Sequence, residues 1–105
     1  MITSGNGKYR VWLKRYTIGD DLVYFLGGGE KPHVGSVVVK EPGKPVQVIL
    51  LEGHRDDVVL CPIAEQACEK YQTTVVVVGG VHVDTASEEE IHLLVENCRS
   101  LLQEV

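Results

Sequence analysis

Gly53-His54-Arg55-Asp56-Asp57 is the stretch at which the chain changes its period. Before it, Val46 to Leu51 is an apolar run bounded by a proline-glycine turn, the pattern of a strand. After it, Leu60, Ile63, Ala64, Ala67, Cys68 and Tyr71 recur at i, i+3, i+4, i+7, i+8 and i+11, the stripe of an amphipathic helix. Asp56 or Asp57 can cap that helix and suits its positive end. Pro62 falls inside it, where proline removes a hydrogen bond and costs about 3 kcal/mol. Either the regular helix starts near Pro62 or its first turns are kinked there.

Working upstream, Glu41-Pro42-Gly43-Lys44-Pro45 is a turn, so Val34–Lys40 and Val46–Leu51 are expected to form a hairpin. Lys8–Thr17 alternates, with Tyr9, Val11 and Leu13 on one face and Arg10, Trp12, Lys14 and Tyr16 on the other. Ile18-Gly19-Asp20-Asp21 turns it into Leu22–Leu26, a second hairpin. Residues 1–7, rich in Gly, Ser and Asn, are expected to be a disordered lead-in. Downstream, Thr73–Val78 carries four valines and is apolar on both faces, hence central. If Val46–Leu51, the helix and this strand form a βαβ crossover, it runs parallel to Val46–Leu51. Ser87 with Glu90 matches a capping box, and Ile91, Leu94, Val95, Cys98, Leu101, Leu102 and Val105 form the stripe of a closing helix. The expected architecture is a single α/β (α+β) domain over residues 8–105, with one mixed five-stranded sheet in the order ββββαβα and two helices packed on it.

The bulk composition narrows the function. A chain of 105 residues with 44% hydrophobic and 24% charged residues is an ordinary one-domain globular protein. The net charge is -5 and the longest basic run is Lys14-Arg15, so no nucleic-acid footprint is present. No apolar run approaches the roughly 20 residues of a membrane helix, and Met1–Asn6 lacks a signal-peptide core. A cytoplasmic protein is the expectation. Cys61, Cys68 and Cys98 are odd in number and lack CxxC spacing; Cys68 and Cys98 lie on helical stripes and read as buried hydrophobes.

Three glycine-histidine stretches converge in this topology: Gly27–His33, Gly53–Asp57 and Gly79–Asp84. The hairpin puts His33 and His54 at one end of the sheet, and the crossover brings His82 to the same edge. The candidate ligand-binding residues are Gly28, Gly29, Pro32, His33, Gly35, Gly53, His54, Arg55, Asp56, Gly80, His82 and Asp84. His33, His54 and His82 could hold one divalent metal with an open position, as in a small metal-dependent enzyme. Alternatively, backbone N–H groups at the helix starts after Gly53 and Ala86, with a Gly27–Gly29 loop and the donors of His54 and Arg55, could cradle an anionic cofactor. The structural alternative is that the glycines serve turns and the histidines cap loop carbonyls. Neither GxGxxG, GxxxxGK[ST], HExxH nor GxSxG occurs. His92, with Glu88 and Glu96 at i-4 and i+4, reads as a solvated helix-face residue.

Gly28-Gly29-Glu30-Lys31-Pro32-His33-Val34-Gly35-Ser36-Val37, Gly53-His54-Arg55-Asp56-Asp57 and Val77-Val78-Gly79-Gly80-Val81-His82-Val83-Asp84 resemble the recurrent segments of the small D-subunit proteins of gallate and related aromatic-acid decarboxylases, a prenylated-flavin chaperone-like family. The resemblance runs from about Lys8 to Leu102. It implies a non-catalytic accessory protein that binds prenylated FMN or FMN, or a metal tied to it, and assists maturation or delivery to a large decarboxylase subunit. Separately, Trp12, Tyr16, Val23 and Phe25 make the sheet face away from the helices partly apolar. A homodimer packed through the sheet is expected, and a dimeric interaction or assembly module is a third reading of the chain.

Overall fold

Six strands rather than five pair into one mixed sheet in the computed structural model, which describes residues 1–51, 53 and 55–105. In chain order they are β1 (Ile2–Ser4), β2 (Val11–Ile18), β3 (Asp21–Gly29), β4 (Ser36–Lys40), β5 (Gln47–Leu50) and, after helix α1 (Asp57–Tyr71), β6 (Val75–His82). Helix α2 (Glu88–Ser100) follows, and a 3-10 turn over Leu101–Glu104 ends the chain. The additional strand comes from the supposed lead-in. Ile2 lies opposite Leu13 in an antiparallel pairing of β1 with β2 and packs against the core. Gly5 at φ +84 lets the chain reverse after it, against Asn97 and the Tyr9 carbonyl.

The spatial order is β1-β2-β3-β6-β4-β5. Both expected hairpins form, β2 with β3 and β4 with β5. β5 and β6 run parallel, as the crossover requires, but are not neighbours. β6 inserts between β3, to which it is parallel, and β4, to which it is antiparallel. Since β5 is also antiparallel to β4, β5 and β6 run the same way with β4 between them. Burial explains the choice. β6 is apolar on both faces and takes the centre, whereas every residue of β5 is exposed, as suits an edge.

The glycine runs prove to be paired strand ends and not loops. Leu26, Gly27, Gly28 and Gly29 of β3 lie opposite Gly79, Gly80, Val81 and His82 of β6. At Gly79, φ is +143 and a Cβ would stand 1.8 Å from the Leu26 carbonyl oxygen, so only glycine permits this approach.

Both helices pack on one side of the sheet, α1 over β4 and β6, α2 toward β2. Val11, Leu13, Leu22, Tyr24, Leu26, Val38, Val75 and Val77 face Leu60, Ile63, Ala64, Ala67, Leu94, Cys98 and Leu101 in one core. α1 runs through Pro62 from Asp57 to Tyr71, so the proline sits in its second turn. α2 begins with the expected capping box: the Glu90 amide donates to Ser87 Oγ at 3.2 Å and the Ser87 amide to Glu90 Oε1 at 3.1 Å. Tyr9 Oη also donates to Glu90 at 2.8 Å, and Lys8 pairs with it at 3.2 Å. The Ser87 amide, then Tyr9 and Lys8, hold the Glu90 carboxyl down to about 2. No helix among the described residues is long and apolar enough to cross a membrane.

Two predictions follow from these contacts. Gly79→Ala forces both a strained φ and a clash with backbone, and is expected to lower unfolding free energy by at least about 2 kcal/mol in urea titrations. Glu90 has a depressed pKa in the folded chain, so its stabilisation is present above its usual value of 4.5 and is lost as pH falls toward 2. Thermal unfolding of Glu90→Gln measured across that interval should be flatter with pH than that of the parent chain.

Candidate functional site

The residues nearest the helix side of the β6 terminus are organised by one carboxylate. Asp56 precedes α1, and its backbone carbonyl accepts the Val59 and Leu60 amides, both at 3.0 Å. Its side chain is directed into the molecule. Oδ1 accepts the Val81 N–H at 3.0 Å, and Oδ2 lies 3.1 Å from His33 Nε2. The carboxylate occupies a slot between two glycines: a Cβ at Gly35 would fall 1.9 Å from Oδ2 and one at Gly80 2.8 Å from it. Burial of a carboxylate is unfavourable unless donors meet it, and here both a backbone amide and an imidazole do. Asp56 therefore ties the start of α1, the lead-in to β4 and the end of β6 together.

His33 is fixed at both nitrogens, with Nδ1 lying 3.0 Å from the Lys31 carbonyl oxygen. Its ring meets that of His82 edge-to-face, centroids 6.1 Å apart. The two histidines share one end of the sheet because β4 pairs with β6, Ser36 opposite Gly79, and because the crossover through α1 sets β6 parallel to β5. His82 Nε2 lies 3.0 Å from Asp84 Oδ1, and Lys31 Nζ is 2.8 Å from Asp84 Oδ2. Lys31, then His82, hold the exposed Asp84 carboxyl below its ordinary range. His54 lies outside the described residues. Among the described residues no group of three or more His, Cys, Asp or Glu is placed to hold a metal ion, so the three-imidazole metal centre gains no support.

His33, Asp56 and His82 border a cleft of about 450 Å³ between α1 and α2. Its polar lining is completed by Gly53, Arg55 and Thr85. Val58 and Val59 from α1, Val83 and Ala86 from the connection, and Ile91, Leu94 and Val95 from α2 form apolar walls. Of the sequence candidates, His33, Gly53, Arg55, Asp56 and His82 line the cleft, whereas Gly35 and Gly80 support it from behind as the walls of the Asp56 slot. Gly28 and Gly29 lie within β3, Gly28 pressed against β2 and Gly29 against the His82 carbonyl, and Pro32 is on the exposed loop. Asp84 is engaged by Lys31 and His82 on the exposed side.

The α2 start is no anion cradle. Its capping box uses the Ser87 and Glu90 amides, and Glu88, Glu89 and Glu90 place three acidic side chains in its first turn. The apolar wall was not identified from periodicity. Ile91 sits on the α2 stripe yet is 51% exposed, because that part of the stripe faces the cleft and not the core. Thr85 is a further signal visible only in three dimensions: a β-branched residue at φ +49 on the cleft wall. Cys61 and Cys98 offer no activated thiol. Burial, then Asp57 and Glu65, raise the Cys61 thiol, and burial pushes Cys98 up to about 12.

Replacing Asp56 tests the organising role directly. Asp56→Ala leaves the Val81 amide and His33 without this acceptor and is expected to cost about 1–3 kcal/mol of stability in chemical denaturation. Asp56→Asn, which keeps an acceptor for Val81, should cost clearly less.

The family model for the prenylated flavin chaperone LpdD-like domain matches residues 5–105. No curated protein matches the chain.

Proposed function

The chain belongs to the prenylated flavin chaperone LpdD-like family, and we propose that it acts as a non-catalytic accessory protein that holds prenylated FMN, or FMN, in the cleft between α1 and α2. On this reading it assists maturation of the cofactor or its delivery to the large subunit of an aromatic-acid decarboxylase. Its working form is a cytoplasmic homodimer.

One observation carries the reading: the cleft combines an apolar wall with polar groups. A flavin nucleotide has a large planar apolar ring system at one end and a phosphate at the other. Val58, Val59, Ile91, Leu94 and Val95 offer a wall for the ring system, and Arg55 and His82 offer donors within the same cleft. Arg55 is well suited to the phosphate, since its side chain is 76% exposed and its Nε makes only a 3.4 Å contact with Asp57. The protonated thiols of Cys61 and Cys98 accord with a holding role and not with nucleophilic chemistry. Asp56, Gly35 and Gly80 act indirectly, by fixing the polar end before a ligand arrives.

Two exposed positions allow a test that leaves the core untouched. Ile91→Asp puts a charge on the apolar wall, and Arg55→Glu reverses the charge at the polar end. Each is expected to weaken binding of prenylated FMN on the order of tenfold, about 1.4 kcal/mol. Flavin fluorescence titration against purified protein reads both. Unchanged affinity in both variants, with binding intact in the parent chain, would place the flavin elsewhere.

A further inference from the structure

The last strand in the spatial order, β5, leaves the sheet with an open edge. It pairs with β4 on one side, and among the described residues no strand meets its other side. Folded proteins usually blunt such an edge with lysine, proline or a very short strand. The opposite edge follows that rule, since β1 has three residues and carries Thr3 and Ser4. β5 does not. Val48, Ile49, Leu50 and Leu51 are four consecutive apolar residues, between 39% and 61% exposed. No charged residue or proline interrupts residues 46–51.

Backbone direction decides what this edge can meet. The Leu51 amide donates to the Gly35 carbonyl at 3.0 Å, toward β4. Alternation along an antiparallel strand then turns the N–H and C=O of Leu50 and Val48 the other way, out from the sheet. Val48 and Leu50 lie opposite Val38 and Ser36, both fully buried, so their side chains share the helix side of the sheet. Ile49 lies on the other side. The occupant that meets all of these is an extended segment, its backbone paired with Val48 and Leu50 and its apolar side chains set beside theirs.

Size separates the possible occupants. Four residues at about 3.3 Å each make an edge about 13 Å long, and a strand laid along it covers on the order of 300 Å² of this chain. A standard stable interface takes roughly 800 Å² per partner. The edge is too small to hold two copies of the chain together by itself, and it suits a contact that forms and releases. It also adjoins the cleft: shortly after Leu50 the chain reaches Gly53 and Arg55, both on the cleft lining.

We propose that β5 is the docking edge for the protein that receives the ligand, which adds an extended apolar segment of its own to the sheet. The inference rests on the delivery reading above and names the contact that delivery uses.

Amide hydrogen exchange on the isotope-labelled chain, alone and with the apo large subunit of an aromatic-acid decarboxylase, reads this contact. The Val48 and Leu50 amides are expected to exchange freely in the isolated chain and to slow at least about tenfold with the subunit. Val48→Pro removes an outward donor and no ladder bond, and Leu50→Lys puts a charge on the edge. Each is expected to keep its flavin affinity and to slow transfer of prenylated FMN to the subunit on the order of tenfold. Unchanged transfer in both variants, or unchanged exchange at Val48 and Leu50 with the subunit in excess, overturns the proposal. Slowing that depends on the chain's own concentration, with no subunit present, overturns it in favour of a second copy. Loss of flavin affinity in both folded variants overturns it by making the edge part of the ligand site. A parent chain that binds no flavin sinks the reading of the cleft instead, and the exchange measurement still decides the edge. Should Val48→Pro fail to fold, Leu50→Lys decides alone.

Discussion

The Asp56 carboxylate is the constraint on which the site depends. A buried carboxylate is tolerated only where donors are already in place, and the donors here belong to segments far apart in sequence: the Val81 amide and the His33 ring. Satisfying one group thus fixes the register of three segments relative to each other. The glycines at 35 and 80 follow from the same requirement, since a methyl group at either would occupy the space of the carboxylate. Their role is packing around a neighbour within the protein. Direct approach of a ligand is not needed to account for them.

A second constraint is the one-sided distribution of helices. With α1 over β4 and β6 and α2 toward β2, the helix face of the sheet is covered by residues such as Ala64 and Ala67 that are fully buried. Near the β6 terminus the two helices do not close on each other, and that gap is the cleft. The same arrangement leaves the opposite face bare. Ligand site and apolar face are therefore two results of one layering, and they lie on opposite sides of a single sheet.

Much of this was legible in the sequence, and the failures have definite physical origins. The period of α1, the Ser87 and Glu90 capping box and the two hairpins were readable because they depend on neighbours within a few residues. The position of β6 was not. The crossover rule sets β6 parallel to β5 without naming its neighbours, and a strand apolar on both faces is accommodated between β3 and β4. β1 escaped notice because three residues carry no period. The glycine runs suggested loops because glycine is a turn residue by default. In β3 and β6 it serves close strand approach instead. His33 and His82 did arrive at one edge, through the crossover and the pairing of β4 with β6. Periodicity also cannot separate a residue facing a core from one facing a cleft, which is why Ile91 was assigned to the former.

The charge distribution at the cleft gives it a direction. The start of α2 would ordinarily attract an anion, but its amides are engaged by Ser87 and Glu90 and its first turn holds three glutamates. Negative charge is repelled from that end. Asp84 is paired with Lys31 and hydrogen-bonded to His82 outside the cleft, and Asp56 is hydrogen-bonded to His33 and the Val81 amide within it. What remains exposed at the α1 side is Arg55. On the proposed reading, a ligand with one anionic end would turn it toward Arg55 and His82, with its apolar body along Val59, Ile91 and Leu94. Reversed, it would leave an apolar ring beside a guanidinium. The orientation thus follows from where the protein has already used its own donors, before any contact with a ligand is counted.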